Sequence, residues 1–97
     1  MAQVIYSAEA LDDFERIIEH LLAYAPASAT GAIERIRSAI EILEEHPEIG
    51  RRVDPDRREL VISRGRTGYL ALYRFDAGLD LVRILRIRHQ REAGYPD

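Results

Sequence analysis

Cysteine is absent from the 97 residues, which excludes a disulfide scaffold, a thiol nucleophile and any zinc site of cysteine type. Lysine is absent as well. All 14 basic residues are arginine, so Schiff-base and P-loop chemistry lack their usual cation. No apolar run approaches the roughly 20 residues that a membrane-spanning helix needs. The opening stretch, Met1 to Asp12, holds Glu9 and Asp12 and no base, the reverse of a secretory leader. His20, His46 and His89 fall in separate predicted elements, and no H-E-x-x-H pattern, Gly-rich phosphate loop or serine elbow occurs. Neither a metal nor a cofactor is expected. Together these absences predict a soluble, cytoplasmic protein with no membrane contact.

What is present suits one globular domain spanning residues 1–97: 46% of the chain is hydrophobic and 32% charged. The net charge of -3 hides an asymmetry. Residues 1–49 carry 3 Arg against 10 acids, a net of -7, whereas residues 50–97 carry 11 Arg against 7 acids, a net of +4. Arginine presents a planar fork that grips carboxylates and phosphates two-handed. The basic half therefore suits an anionic partner, although helices that tolerate glutamate and strands that tolerate arginine would give the same count.

Hydrophobic spacing divides the chain into elements. Val4-Ile5-Tyr6 reads as a short strand stopped by Ser7, a good helix N-cap. Leu11, Phe14, Ile18, Leu21 and Leu22 then recur on one helical face, with Asp12, Asp13, Glu15, Arg16 and Glu19 largely opposite. That helix is predicted to end near Tyr24, before Pro26. A second helix, capped by Ser28 or Thr30, carries Ile33, Ile36, Ile40 and Leu43 and stops at His46. Two amphipathic helices with so short a connection predict an antiparallel hairpin that needs a third surface.

The second half supplies that surface. Residues 47–58 read as a charged, turn-rich connector. Strands are predicted at 59–63, 69–75 and 80–89, with turns at 64–68 and 76–78, forming an antiparallel meander. The fold class is α+β, in the order β-α-α-β-β-β, with the helical hairpin on one sheet face and the first strand's position unassigned. In the middle strand Leu70, Leu72 and Arg74 point one way, and Tyr69, Ala71, Tyr73 and Phe75 the other. The last strand alternates less cleanly. Its expected register buries Leu81, Leu85 and Ile87 under the helices and sets Arg86 and Arg88 on the open face, unless a bulge inverts part of it.

In such a meander, the turn before the middle strand lies beside the end of the last one. Arg64, Arg66 and Tyr69 are thus expected near Arg88, His89 and Tyr95. This would be a cationic cluster holding an imidazole and a phenol, suited to a phosphodiester. The alternative is that the two turn arginines are solvated and His89 merely ends a strand.

Several runs resemble a known family: Arg58-Glu59-Leu60-Val61-Ile62, Gly65-Arg66-Thr67-Gly68-Tyr69, Leu72-Tyr73-Arg74 and Ile84-Leu85-Arg86-Ile87-Arg88-His89-Gln90-Arg91-Glu92. With Tyr6-Ser7-Ala8-Glu9-Ala10 and Pro47-Glu48-Ile49-Gly50-Arg51, their succession is similar to the RelE/ParE superfamily of type II toxin–antitoxin, or plasmid-stabilisation, toxins. The resemblance implies two alternative activities. RelE-like members cleave mRNA on the ribosome without a metal, a role in which Arg66, His89 and Tyr95 would be the catalytic candidates. ParE-like members poison DNA gyrase through protein contacts and are not enzymes. RelE-like enzymes usually place an arginine directly after the Gly-Tyr pair, where this chain has Leu70, so the ParE-like reading is favoured. A third reading is a non-toxic nucleic-acid-binding module. The resemblance also implies an antitoxin partner whose C-terminal segment folds onto the toxin. Arg64, Arg74, Arg86, Arg88 and Arg91 are the candidate target- or antitoxin-binding residues, and a homodimer through the helices is a further expectation.

Overall fold

The structure, a computed structural model, describes residues 1–63 and 68–91. Two helices lie on a five-stranded mixed sheet of order β1-β5-β4-β3-β2, with β1 Gln3–Tyr6, β2 Arg51–Arg52, β3 Arg58–Val61, β4 Tyr69–Asp76 and β5 Leu81–His89. The α+β class and the β3-β4-β5 meander agree with the expectation. Two features do not follow from periodicity: β1 pairs in parallel with β5 at the sheet edge, and the connector contributes the two-residue strand β2.

Ser7 links the first strand to the first helix, α1 (Ala8–Tyr24). Its Oγ accepts the Ala10 N–H at 3.0 Å, satisfying a helix-end donor, and donates to the Leu85 carbonyl at 2.9 Å. A single residue, Ala25, joins α1 to α2 (Pro26–Glu41). Pro26 opens α2 in the first turn, where a missing N–H costs nothing. The expected caps are displaced: Ser28 lies inside the helix, with its Oγ donating to the Ala25 carbonyl at 3.2 Å. The helix also stops short of His46 and passes into a 3₁₀ turn at Ile42–Glu44. Leu21, Ala29 and Ala32, joined by Ile17 and Ile33, form the hairpin's own small core.

The main core sets Ala10, Ile36, Ile40 and Leu43 against Tyr69, Ala71, Tyr73, Val82, Ile84 and Ile87. Glycine is required at position 50, where a Cβ would stand 2.6 Å from the Tyr73 ring and 2.9 Å from the Glu59 carbonyl. This close approach lets the Gly50 N–H donate to the Tyr73 hydroxyl at 2.8 Å.

Two expectations about side-chain direction are corrected. The inward face of α1 carries Ala10, Asp13, Phe14, Ile17 and Leu21, while Leu11 and Leu22 are exposed and Asp13 is 1% exposed. In β5, Leu72 faces Arg86 but Tyr73 faces Ile84, so Leu85 is an extra, bulged residue. The bulge resets the alternation. Val82 and Ile84 are buried before it and Ile87 after it, whereas the expected Leu81 and Leu85 are only half-buried.

Candidate functional site

Where β1 stops at Tyr6, the outer edge of β5 loses its strand partner, and α1 takes over. Ser7 satisfies the Leu85 carbonyl, and the Asp13 carboxylate accepts the Ile87 N–H at 2.9 Å. Arg86 then reaches the same carboxylate, with Nε at 2.8 Å and Nη2 at 3.1 Å, and Arg16 also pairs with it. Burial pushes the Asp13 carboxyl upward, but these donors outweigh it and hold the group below the usual carboxylate range. A buried charge with this many donors is a structural fastener.

Beside this fastener a groove of about 800 Å³ opens between the second half of α1 and the ends of β4 and β5. Its walls carry Arg16, His20 and Tyr24 from α1 and Tyr69, His89 and Arg91 from the sheet side. His20 and Tyr24 stand one helical turn apart with ring centroids 4.8 Å apart. Tyr69 and His89 are direct cross-strand partners, edge to face at 5.2 Å. The Arg91 N–H donates to His89 Nδ1 at 3.0 Å, so the proton of the neutral imidazole sits on Nε2. Burial raises the Tyr69 hydroxyl's pKa, and Arg35 offsets this only in part. At neutral pH that phenol is a proton donor, not a base.

The sequence-predicted residues divide accordingly. The strand pairing brings Tyr69 to His89 as expected, with Arg91 beside them. Arg88, half-buried, donates to the His89 and Gln90 carbonyls at 3.3 and 3.5 Å and so holds the exit of β5. Arg86 stands opposite Leu72, on the side expected for it, but its guanidinium is engaged with Asp13 of α1. Arg74 is exposed at the far end of the same strands, opposite Arg83, away from the His89 groove. Arg64, Arg66 and Tyr95 lie outside the described residues. The expected cluster is thus described only in its Tyr69, Arg88 and His89 members. Sequence reasoning missed Asp13, His20 and Tyr24. The available signal for Asp13 was its place in the 10, 13, 14, 17, 21 spacing, one position out of phase with the more conspicuous leucines.

Among the described residues, no cluster of His, Asp and Glu could hold a metal ion, and no helix is long and apolar enough to cross a membrane. Residues 4–94 match the family described as the ParE toxin of the type II toxin–antitoxin system parDE. The chain belongs to this ParE toxin family. Two curated relatives of this ParE-family chain come from Caulobacter vibrioides. Toxin RelE3 is 39% identical over 92 residues, covering 95% of this chain and 98% of the relative. Toxin RelE2 is 36% identical over 89 residues, covering 92% and 96%. Among solved structures, the chromosomal ParDE system from P. aeruginosa aligns with a TM-score of 0.75 at 24% identity, covering 92% of this chain and 96% of that one. The intact E. coli RelBE toxin–antitoxin complex aligns with a TM-score of 0.66 at 14% identity, covering 95% and 100%. At those identities the structures establish a shared fold. The family match and the curated relatives make this chain a type II toxin.

Proposed function

We propose that this toxin acts in the ParE-like manner, arresting growth by protein contact with DNA gyrase, and that a cognate antitoxin silences it with a C-terminal segment folded onto its surface. The observation that carries the non-catalytic reading is the Asp13–Arg86 pair. Arg86, three positions before His89 on β5, is bound by an internal carboxylate and does not line the groove, and so it is not poised for charge developing on a substrate there. Leu70, directly after Tyr69, is 7% exposed and offers no cation there either. The match to the parDE toxin family over residues 4–94 supports the same direction.

One observation favours the RelE-like alternative, ribosome-dependent mRNA cleavage. The Tyr69–His89 pair lines a groove with an imidazole of fixed tautomer beside a protonated phenol, a set able to transfer protons. In that alternative Arg66, His89 and Tyr95 are the catalytic residues. Controlled expression distinguishes the two. The ParE-like reading expects plasmid supercoiling to fall before protein synthesis does, with His89→Ala still toxic. Codon-phased mRNA cuts that fall about 10²- to 10⁴-fold in His89→Ala would overturn it in favour of RelE-like cleavage.

A further inference from the structure

The far end of the β4–β5 hairpin carries a second feature, remote from the His89 groove. Arg74 and Arg83 are direct cross-strand partners, both exposed. Directly opposed residues on a sheet hold their Cβ atoms about 5 Å apart, and like charges so placed repel. Three arginines of the connector and β3 are answered internally: Arg51 pairs with Glu59, Arg57 with Asp54 and Arg58 with Glu48. Among the described residues neither Arg74 nor Arg83 is paired with a carboxylate. Asp76 shares their groove, but its carboxylate accepts the Leu79 N–H and holds the hairpin turn. The groove measures about 440 Å³, and Phe75, Leu81 and Pro55 supply apolar walls beside the two forks.

We propose that Arg74 and Arg83 form a clamp for one carboxylate of an acidic, amphipathic peptide segment. Under the function proposed above, on which this inference rests, that segment belongs to the antitoxin. Two guanidinium forks on directly opposed residues of one groove can each donate to a carboxylate, and the repulsion between them then becomes attraction to the shared anion. A nucleic-acid backbone suits the place less well. A run of phosphates would also meet Asp56 and Asp76 in the groove walls, on a chain whose net charge is already -3. A single carboxylate followed by an apolar side chain meets both the forks and the Phe75–Leu81 wall.

The test co-expresses the full chain with its cognate antitoxin, sought as the product of a short adjacent reading frame, and measures their affinity by calorimetry. Arg74→Gln and Arg83→Gln are each expected to weaken binding about 10-fold, and the double variant by 10- to 100-fold or more. Arg74→Lys/Arg83→Lys, which keeps the charge but not the fork, is expected to fall between. Arg37→Gln, on the exposed side of α2, is expected to bind like the parent. The thermal midpoint of the Gln variants is expected to stay level or rise, because a repulsion has been removed. Unchanged affinity in the double variant would overturn the clamp and leave the antitoxin reading intact. No binding by the parent chain would overturn both. A lowered midpoint would reassign the pair to structure. Loss of binding to a 20-nucleotide single-stranded DNA probe, with antitoxin affinity retained, would reassign it to phosphate.

Discussion

Asp13 is the residue on which most else leans. It is a nearly fully buried carboxylate that accepts from the Ile87 N–H, Arg86 and Arg16. Removing one partner of a buried pair leaves the other charge uncompensated, which typically costs about 3–5 kcal/mol. Asp13→Ala is expected to lose stability of that order in urea unfolding. The pH dependence follows from the direction of its shift. Its folded carboxyl is held below the ordinary value, so its contribution is complete above the unfolded pKa of about 4 and is lost as pH falls through the lower, folded value. The parent is therefore expected to lose stability in acid more steeply than Asp13→Asn. Equal acid slopes for the two proteins would show that Asp13 does not titrate as its partners require.

At the scale of the element, the Leu85 bulge decides the arrangement of β5. One extra residue lets Val82 and Ile84 face the helices above it and Ile87 and His89 face them below. It also turns the Leu85 carbonyl and Ile87 N–H toward Ser7 and Asp13. Deleting Leu85 would keep the strand's composition yet move one half of its apolar residues to the wrong face. The expected outcome is a protein that no longer folds cooperatively. Leu85→Ala, which keeps the extra residue and trims a half-buried side chain, is expected to fold. Near-ultraviolet circular dichroism separates the two; a native spectrum for the deletion would mean the register is set elsewhere. The α1 helix makes the complementary point. Leu11 and Leu22, its most conspicuous apolar residues, are exposed, because seating Asp13 on the β5 edge turns the helix by about one position.

For the whole molecule, the hairpin core and the sheet core share Ile17, and Ser7 and Asp13 tie the first helix to the last strand. Unfolding is thus expected to be a single transition, with the far- and near-ultraviolet signals coincident and Ser7→Ala shifting both together. An early loss of helix alone would show that the two cores act independently. The acidic first half and basic second half meet in one buried bond, Asp13 with Arg86, while Arg74 and Arg83 remain exposed at the surface. The charge asymmetry read along the chain accordingly has two outcomes, internal fastening at one place and an exposed basic pair at another.

Residue order alone was enough to specify the helical hairpin, the three-strand meander and the meeting of Tyr69 with His89, because each depends on periodicity and short turns. It did not specify the parallel edge strand, the bulge or the inward turn of Asp13. Those depend on which backbone groups a neighbouring element leaves unsatisfied, and that is known only once the elements are packed. The tertiary structure alone decided that Arg86 answers an internal acid and that Arg74 faces Arg83. The fate of a charged side chain is set by the partner that packing brings within reach.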